Sequence, residues 1–291
     1  MTPSVPRFAP RSVASVVALS VAIGAMYAGV LSALVRQWGS DDNYSHGFFV
    51  IPLAVYFAWA KRDRLAHAEK RPEWTGLLVI AGSLLVWMAG TLGSELFLTR
   101  VSLIGVVAGT IWFVWGRTHA RILAFPVLFL LLMIPLPAIV FNQIAFPLQL
   151  LASQLGEATI AAAGVPVLRE GNVLHLPART LEVAEACSGI RSLVSLIFLA
   201  IVLGYFTDLR GRGRVVLALS AIPIAIVANA VRVAGTGLMA EWISPAAAEG
   251  FFHTFSGWIM FTLAFGVLLA LQQALSRVSI RGSRPALART A

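Results

Sequence analysis

Long apolar runs separated by short basic loops set the pattern of this chain. The runs cover roughly 12–35, 44–60, 75–93, 101–116, 122–140, 187–206, 215–235 and 253–275. A helix crossing the hydrocarbon core needs about 20 mainly apolar residues. The pattern therefore predicts an all-α polytopic membrane protein with about eight transmembrane helices. The second and fourth runs are the shortest of the set. One region, about 138–186, departs from the pattern. From Ile139 to Ala163 the periodicity is helical, interrupted by Pro147, and predicts a helix lying on the membrane surface. Beyond it, Val167-Leu168-Arg169 and Val173-Leu174-His175-Leu176 flank Glu170-Gly171-Asn172, a turn signal, so a β-hairpin is expected. Leu181-Glu182-Val183 is a candidate third strand. This small extracytoplasmic insertion then delivers the chain to the sixth run.

Charge adds an orientation. The chain is 58% hydrophobic and 12% charged, with mean hydropathy +0.84, against about 25% charged in soluble domains. A soluble globular class is excluded. Of the 22 Lys and Arg, all but Arg36, Arg100, Arg169, Arg179, Arg191 and Arg232 fall before the first run, in alternate loops, or after the last run. Cytoplasmic loops carry such an excess, so both termini are expected to be cytoplasmic. The net charge of +9 is spread over these short loops and forms no contiguous tract, so it points to membrane lipid rather than nucleic acid. Arg7 and Arg11 precede a stretch too long for a signal-peptide core, and a retained first span is expected. One membrane-embedded bundle over 1–276, with 138–186 as its extracytoplasmic part, is followed by a basic tail, 277–291, expected to be disordered.

Candidate chemistry gathers at the outer ends of runs six to eight. Cys187, the single cysteine, opens run six within Glu185-Ala186-Cys187-Ser188-Gly189-Ile190-Arg191. A thiol at a helix N-terminus has its thiolate favoured by the exposed N–H groups, and Gly189 admits a peptide backbone. Arg232 ends run seven in Asn229-Ala230-Val231-Arg232, where Asn229 and Arg232 share a helix face. His253 opens run eight, and imidazole suits proton transfer near neutral pH. Each has a plain alternative: Cys187 as a small buried hydrophobe, Arg232 as a snorkelling anchor, His253 as part of an interfacial aromatic belt with Phe251, Phe252 and Trp258. Counting crossings puts all three on one membrane face. A nucleophile, a proton carrier and an oxyanion stabiliser are the equipment of acyl transfer through a thioester. Ser188 is a rival nucleophile without a GxSxG setting. Glu182 and Glu185 either orient His253 or are solvated carboxylates. His46, opening run two in Tyr44-Ser45-His46-Gly47, fits a structural place at the interface better than a place in the site. Scattered histidines and a lone cysteine offer no metal-ligand spacing, and no metal or other cofactor is expected.

The chain resembles the exosortases, bacterial relatives of the archaeosortases. The resemblance rests on the segments around Cys187, Asn229–Arg232 and His253-Thr254-Phe255-Ser256-Gly257-Trp258. It is supported by Tyr44–Gly47, Ile134-Pro135-Leu136-Pro137 and Gly171-Asn172-Val173-Leu174-His175-Leu176-Pro177, and it runs from about residue 38 to 265. It implies a multi-span cysteine peptidase and transpeptidase of the bacterial inner membrane, with its active site facing the periplasm. Its partners would be exported proteins bearing a C-terminal sorting signal: a Pro-Glu-Pro motif, a spanning helix and an Arg-rich tail. It further implies a link to exopolysaccharide production. The family's Cys, Arg and His carry over to Cys187, Arg232 and His253, with Asn229, Ser188 and Gly189 supporting. The competing class is a non-enzymatic membrane subunit of a polysaccharide export or assembly system, in which these three side chains would be dispensable. A transporter is a third class, disfavoured by the lack of repeat symmetry.

Overall fold

Apolar runs become helices here because a backbone among apolar side chains or lipid must satisfy its own N–H and C=O groups. The computed structural model describes residues 10–183, 189–207, 209, 211–244 and 250–281, with backbone alone at 10–16, 250–254 and 278–281. The chain is mostly helical and divides into two compact units, Met1–Pro137 and Ala138–Ala291.

The first unit holds α1 (Pro10–Met26), α2 (Ala28–Ser40), α3 (Gly47–Trp59), α4 (Arg62–His67), α5 (Thr75–Leu92), α6 (Leu96–Trp115) and α7 (Arg117–Phe129), followed by a 3-10 turn at Leu130–Met133. The expected first span is broken: Val17–Met26 and Ala28–Ser40 meet at a 74° bend. Tyr27, at the corner, is fully buried, and its hydroxyl lies 3.0 Å from Ser102 Oγ of α6. A tertiary hydrogen bond thus holds the corner. α5 and α6 run antiparallel in close contact. Gly76 lies against Phe113, a Cβ on Gly90 would stand 2.9 Å from Thr99 N, and one on Gly109 would stand 2.8 Å from Ile80 Cγ1. Small residues let two membrane helices approach backbone to backbone.

The second unit holds α8 (Ala138–Ala162), β1 (Leu168–Glu170), β2 (Val173–His175), β3 (Thr180–Glu182), α9 (Ile190–Phe206), α10 (Gly211–Trp242) and α11 (Gly250–Arg281). The strands form one antiparallel sheet in chain order, with Arg169 opposite Leu174 and Leu174 opposite Leu181. Gly171 makes the first turn at φ +65°, a backbone state that glycine adopts freely. α10 packs against α8, α9 and α11. Leu193, Leu196 and Ala200 of α9 meet Leu217, Ala221 and Ala225 of α10 and Ala264 and Leu268 of α11 in one apolar core. A second core joins Ala152 and Ile160 of α8, Leu174 of the sheet, and Val233 and Ala234 of α10.

By length and composition five helices are able to cross a membrane: α5, α6, α8, α10 and the Phe255–Arg277 part of α11. The bent α1–α2 pair would make a sixth. α3 and α9 are apolar but have only 13 and 17 residues. At about 1.5 Å per residue α3 reaches about 20 Å, short of the ~30 Å hydrocarbon core, so length and composition alone do not reach the expected eight. Two boundaries differ for a definite reason. The run expected at 122–140 stops helical winding at Phe129 and ends in Ile134-Pro135-Leu136-Pro137. Proline lacks the N–H a helix needs, and the residue before it is pushed out of the α region. Conversely, α8 runs unbroken through Pro147 and is itself long and apolar enough to cross. By length and composition alone it therefore meets the requirement for a span as well as for the surface-lying helix expected. One missing N–H is tolerated in a membrane helix.

Candidate active site

α10 organises the site. Two points of the chain on either side of residues 184–188 are pinned near it. Ahead of them, Val183 is 2% exposed and shares the second core with Val233 and Ala234. Its N–H donates to Asn172 O at 2.9 Å, and its carbonyl accepts from Asn172 Nδ2 at 3.2 Å. Beyond them, Gly189 caps α9 with φ +77°, and its carbonyl accepts from Leu193 N at 2.8 Å. A Cβ on Gly189 would stand 2.8 Å from both Cβ and Cγ of Asn229. Glycine is needed twice over at this position, for its left-handed backbone and for the approach of α10. Asn229 is buried at 6% exposure, in a polar and inward-facing place, while Val227 and Val231 on either side of it are exposed at 60% and 52%.

One turn further along α10, Arg232 is half-buried. Its guanidinium lies against Gly257 of α11: the place a Cβ would take there is 3.5 Å from Cζ and Nη2 and 3.7 Å from Nη1. A Cβ there would be in ordinary van der Waals contact with the planar group, so the guanidinium packs against this face of α11. Gly257 stands four residues after His253 on α11, so the two share a helix face, about 6 Å apart along the axis. Asn229 and Arg232, predicted on one face, thus touch two different neighbours, the start of α9 and the first turns of α11.

Of the predicted residues, Gly189, Asn229 and Arg232 are brought together. His253 is placed by its backbone within α11, and Cys187 and Ser188 lie outside the described residues, as does Glu185. Glu182 is exposed on β3. Among the described residues no group of three or more His, Cys, Asp or Glu side chains could hold a metal ion.

Two of the supporting segments find each other in the first unit. His46 Nε2 donates to Leu132 O at 3.0 Å, and Leu136 N–H donates to Tyr44 Oη at 3.1 Å. Trp38 Nε1 adds a bond to Met133 O at 2.9 Å. Tyr44 and His46 are thereby clamps on the proline-ended turn after α7. The sequence reading missed Trp38 and the role of Gly257. The pairing of small and large residues that explains them, Gly47 against Trp38 and Gly257 against Arg232, exists only in three dimensions.

The family model for transmembrane exosortases matches residues 38–270. The match spans most of the chain, including both units and every site segment, and the chain belongs to this family of membrane proteins. No curated protein and no solved structure matches it.

Proposed function

We propose that this protein is a membrane-embedded cysteine peptidase and transpeptidase. It cleaves C-terminal Pro-Glu-Pro-type sorting signals of exported proteins at the periplasmic face of the inner membrane, in a pathway linked to exopolysaccharide production. The single observation that carries the reading is the run of contacts from Gly189 to Asn229 on α10 and from Arg232 to Gly257 on α11. It ties together the three segments that hold Cys187, Arg232 and His253. Two peptide links separate Cys187 from Gly189, a reach of about 7 Å, and His253 is one turn from Gly257.

In this reading the chain makes eight spans with both termini cytoplasmic, the short α3 and α9 among them, and the basic loops hold that orientation. The substrate's spanning helix rests in the bilayer with its motif at the outer interface. His253 takes the proton of the Cys187 thiol, and the thiolate attacks the scissile carbonyl carbon. Arg232 stabilises the oxyanion with its fixed N–H donors. The C–N bond breaks as His253 returns the proton to the leaving amine, leaving a thioester. An amine acceptor or water then attacks that thioester, and Cys187 recovers its proton.

The test is processing of a sorting-signal substrate in cells by the parent chain and by Cys187→Ala, read by mass spectrometry of the new C-terminus. The parent is expected to give a truncated species carrying either a free carboxylate or an attached amine, and Cys187→Ala only intact substrate. Unchanged processing by Cys187→Ala overturns the assignment and leaves the non-enzymatic subunit.

A further inference from the structure

Arg100 is 4% exposed on α6, five residues into the helix. Among the described residues no other Lys, Arg, Asp or Glu is buried to this degree. An ion in apolar surroundings is strongly disfavoured unless paired, and inside a membrane such a residue points to a function. Yet among the described residues no hydrogen bond or ion pair holds its guanidinium. The titratable groups within electrostatic reach of it are Glu95 and Tyr44. Glu95 is already engaged as the cap of α6, accepting from Leu98 N at 2.7 Å. Tyr44, 6% exposed, accepts from Leu136 N through its hydroxyl oxygen, which leaves the hydroxyl proton available to donate. A buried guanidinium fork and a buried phenol O–H within electrostatic reach of each other are therefore donors in search of an acceptor.

The chemistry of that acceptor follows. One cation and one neutral donor match a single negative charge, and the fork of Arg matches a carboxylate's two oxygens. The carboxylate of Glu95 nearby opposes a doubly charged phosphate. We propose that Arg100 and Tyr44 bind a carboxylate side chain of the peptide substrate. The carrier of that carboxylate, an acidic residue of the sorting signal, rests on the function proposed above. The loop charges assign Arg100 to the exported side, where such a residue would be presented.

Binding without turnover keeps the two readings separable. The full chain carrying Cys187→Ala, in nanodiscs of zwitterionic lipid, is titrated against a fluorescent peptide made of Pro-Glu-Pro and an apolar helix, and against its Pro-Gln-Pro twin. The Glu peptide is expected to bind about tenfold tighter. Arg100→Gln should bring the two within about twofold, while Arg100→Lys and Tyr44→Phe should each keep part of the preference. Three results overturn the proposal: no preference in the parent, an undiminished preference in the variants, or equal weakening of both peptides. So does an effect of Arg100→Gln seen only in nanodiscs of anionic lipid, which would make a phospholipid the ligand. Should Arg100→Gln fail to fold, Arg100→Lys and Tyr44→Phe decide alone. Unchanged processing by Cys187→Ala in the cellular assay, with the binding preference intact, would sink the peptidase reading and spare this one.

Discussion

The two units use buried polar side chains in opposite ways. In the first, Trp38, Tyr44 and His46 spend their hydrogen bonds on the backbone of one proline-ended turn, and Tyr27 on Ser102. Those bonds hold the chain in shape, and of these groups Tyr44 keeps a hydroxyl proton to donate elsewhere. In the second, Asn229 and Arg232 lie against glycines that open two other helices, Gly189 and Gly257. Gly189 yields its own volume to Asn229, and Gly257 lies in van der Waals contact with Arg232. The lesson is that lying within the matched region does not by itself make a site residue: Tyr44–Gly47 and Asn229–Arg232 both lie within it, but His46 bonds to the backbone of a turn.

This contrast is breakable. Gly189→Ala should act most strongly. A left-handed backbone disfavours an L residue by about 1–2 kcal/mol, and the new Cβ collides with Asn229. Processing should fall by about a hundredfold, the effect of displacing reacting groups by about 1 Å, while the protein still folds in the membrane. Wild-type processing by Gly189→Ala would erase the distinction between the units. Trp38→Phe should do the reverse. Leaving Met133 O without its donor should lower stability by about 1–2 kcal/mol, seen as a lower melting temperature, with processing per folded molecule unchanged. The smallest effect belongs to Glu73, outside the spans. Its carboxylate accepts from Trp112 Nε1 at 3.0 Å and from Arg117 N at 3.3 Å, which hold its carboxyl below the usual range. A depressed folded-state pKa stabilises above the unfolded value and is lost as pH falls through the folded one. Glu73→Gln should therefore melt about 1–2 °C below the parent at pH 7, and the gap should close as the buffer is acidified through the carboxylate range.

Hydropathy made most helices legible, because a membrane imposes one solution on any apolar run. It could not show the corner at Tyr27, which depends on a partner 75 residues away. Nor could it show that α8 persists through Pro147 while α7 stops before Pro135. Both prolines break the same local rule, and the surroundings decide the outcome. At the site, residue types and spacing pointed to Asn229 and Arg232, and their inward placement follows from helix periodicity. The contact of Gly257 with Arg232 was invisible, since a glycine's neighbours are set by packing. Arg100 was legible only as one more basic residue on the outer side. That no carboxylate bonds to it, among the described residues, is a property of the packed structure.

Val183 and Gly189 are both moored to α10, the helix that also carries Arg232. A tilt of α10 therefore moves the two moorings and the guanidinium as one body. Bilayers of different thickness would shift the whole assembly up or down without shearing it, so processing should be less sensitive to lipid chain length than to anything that loosens the grip of α10 on α11.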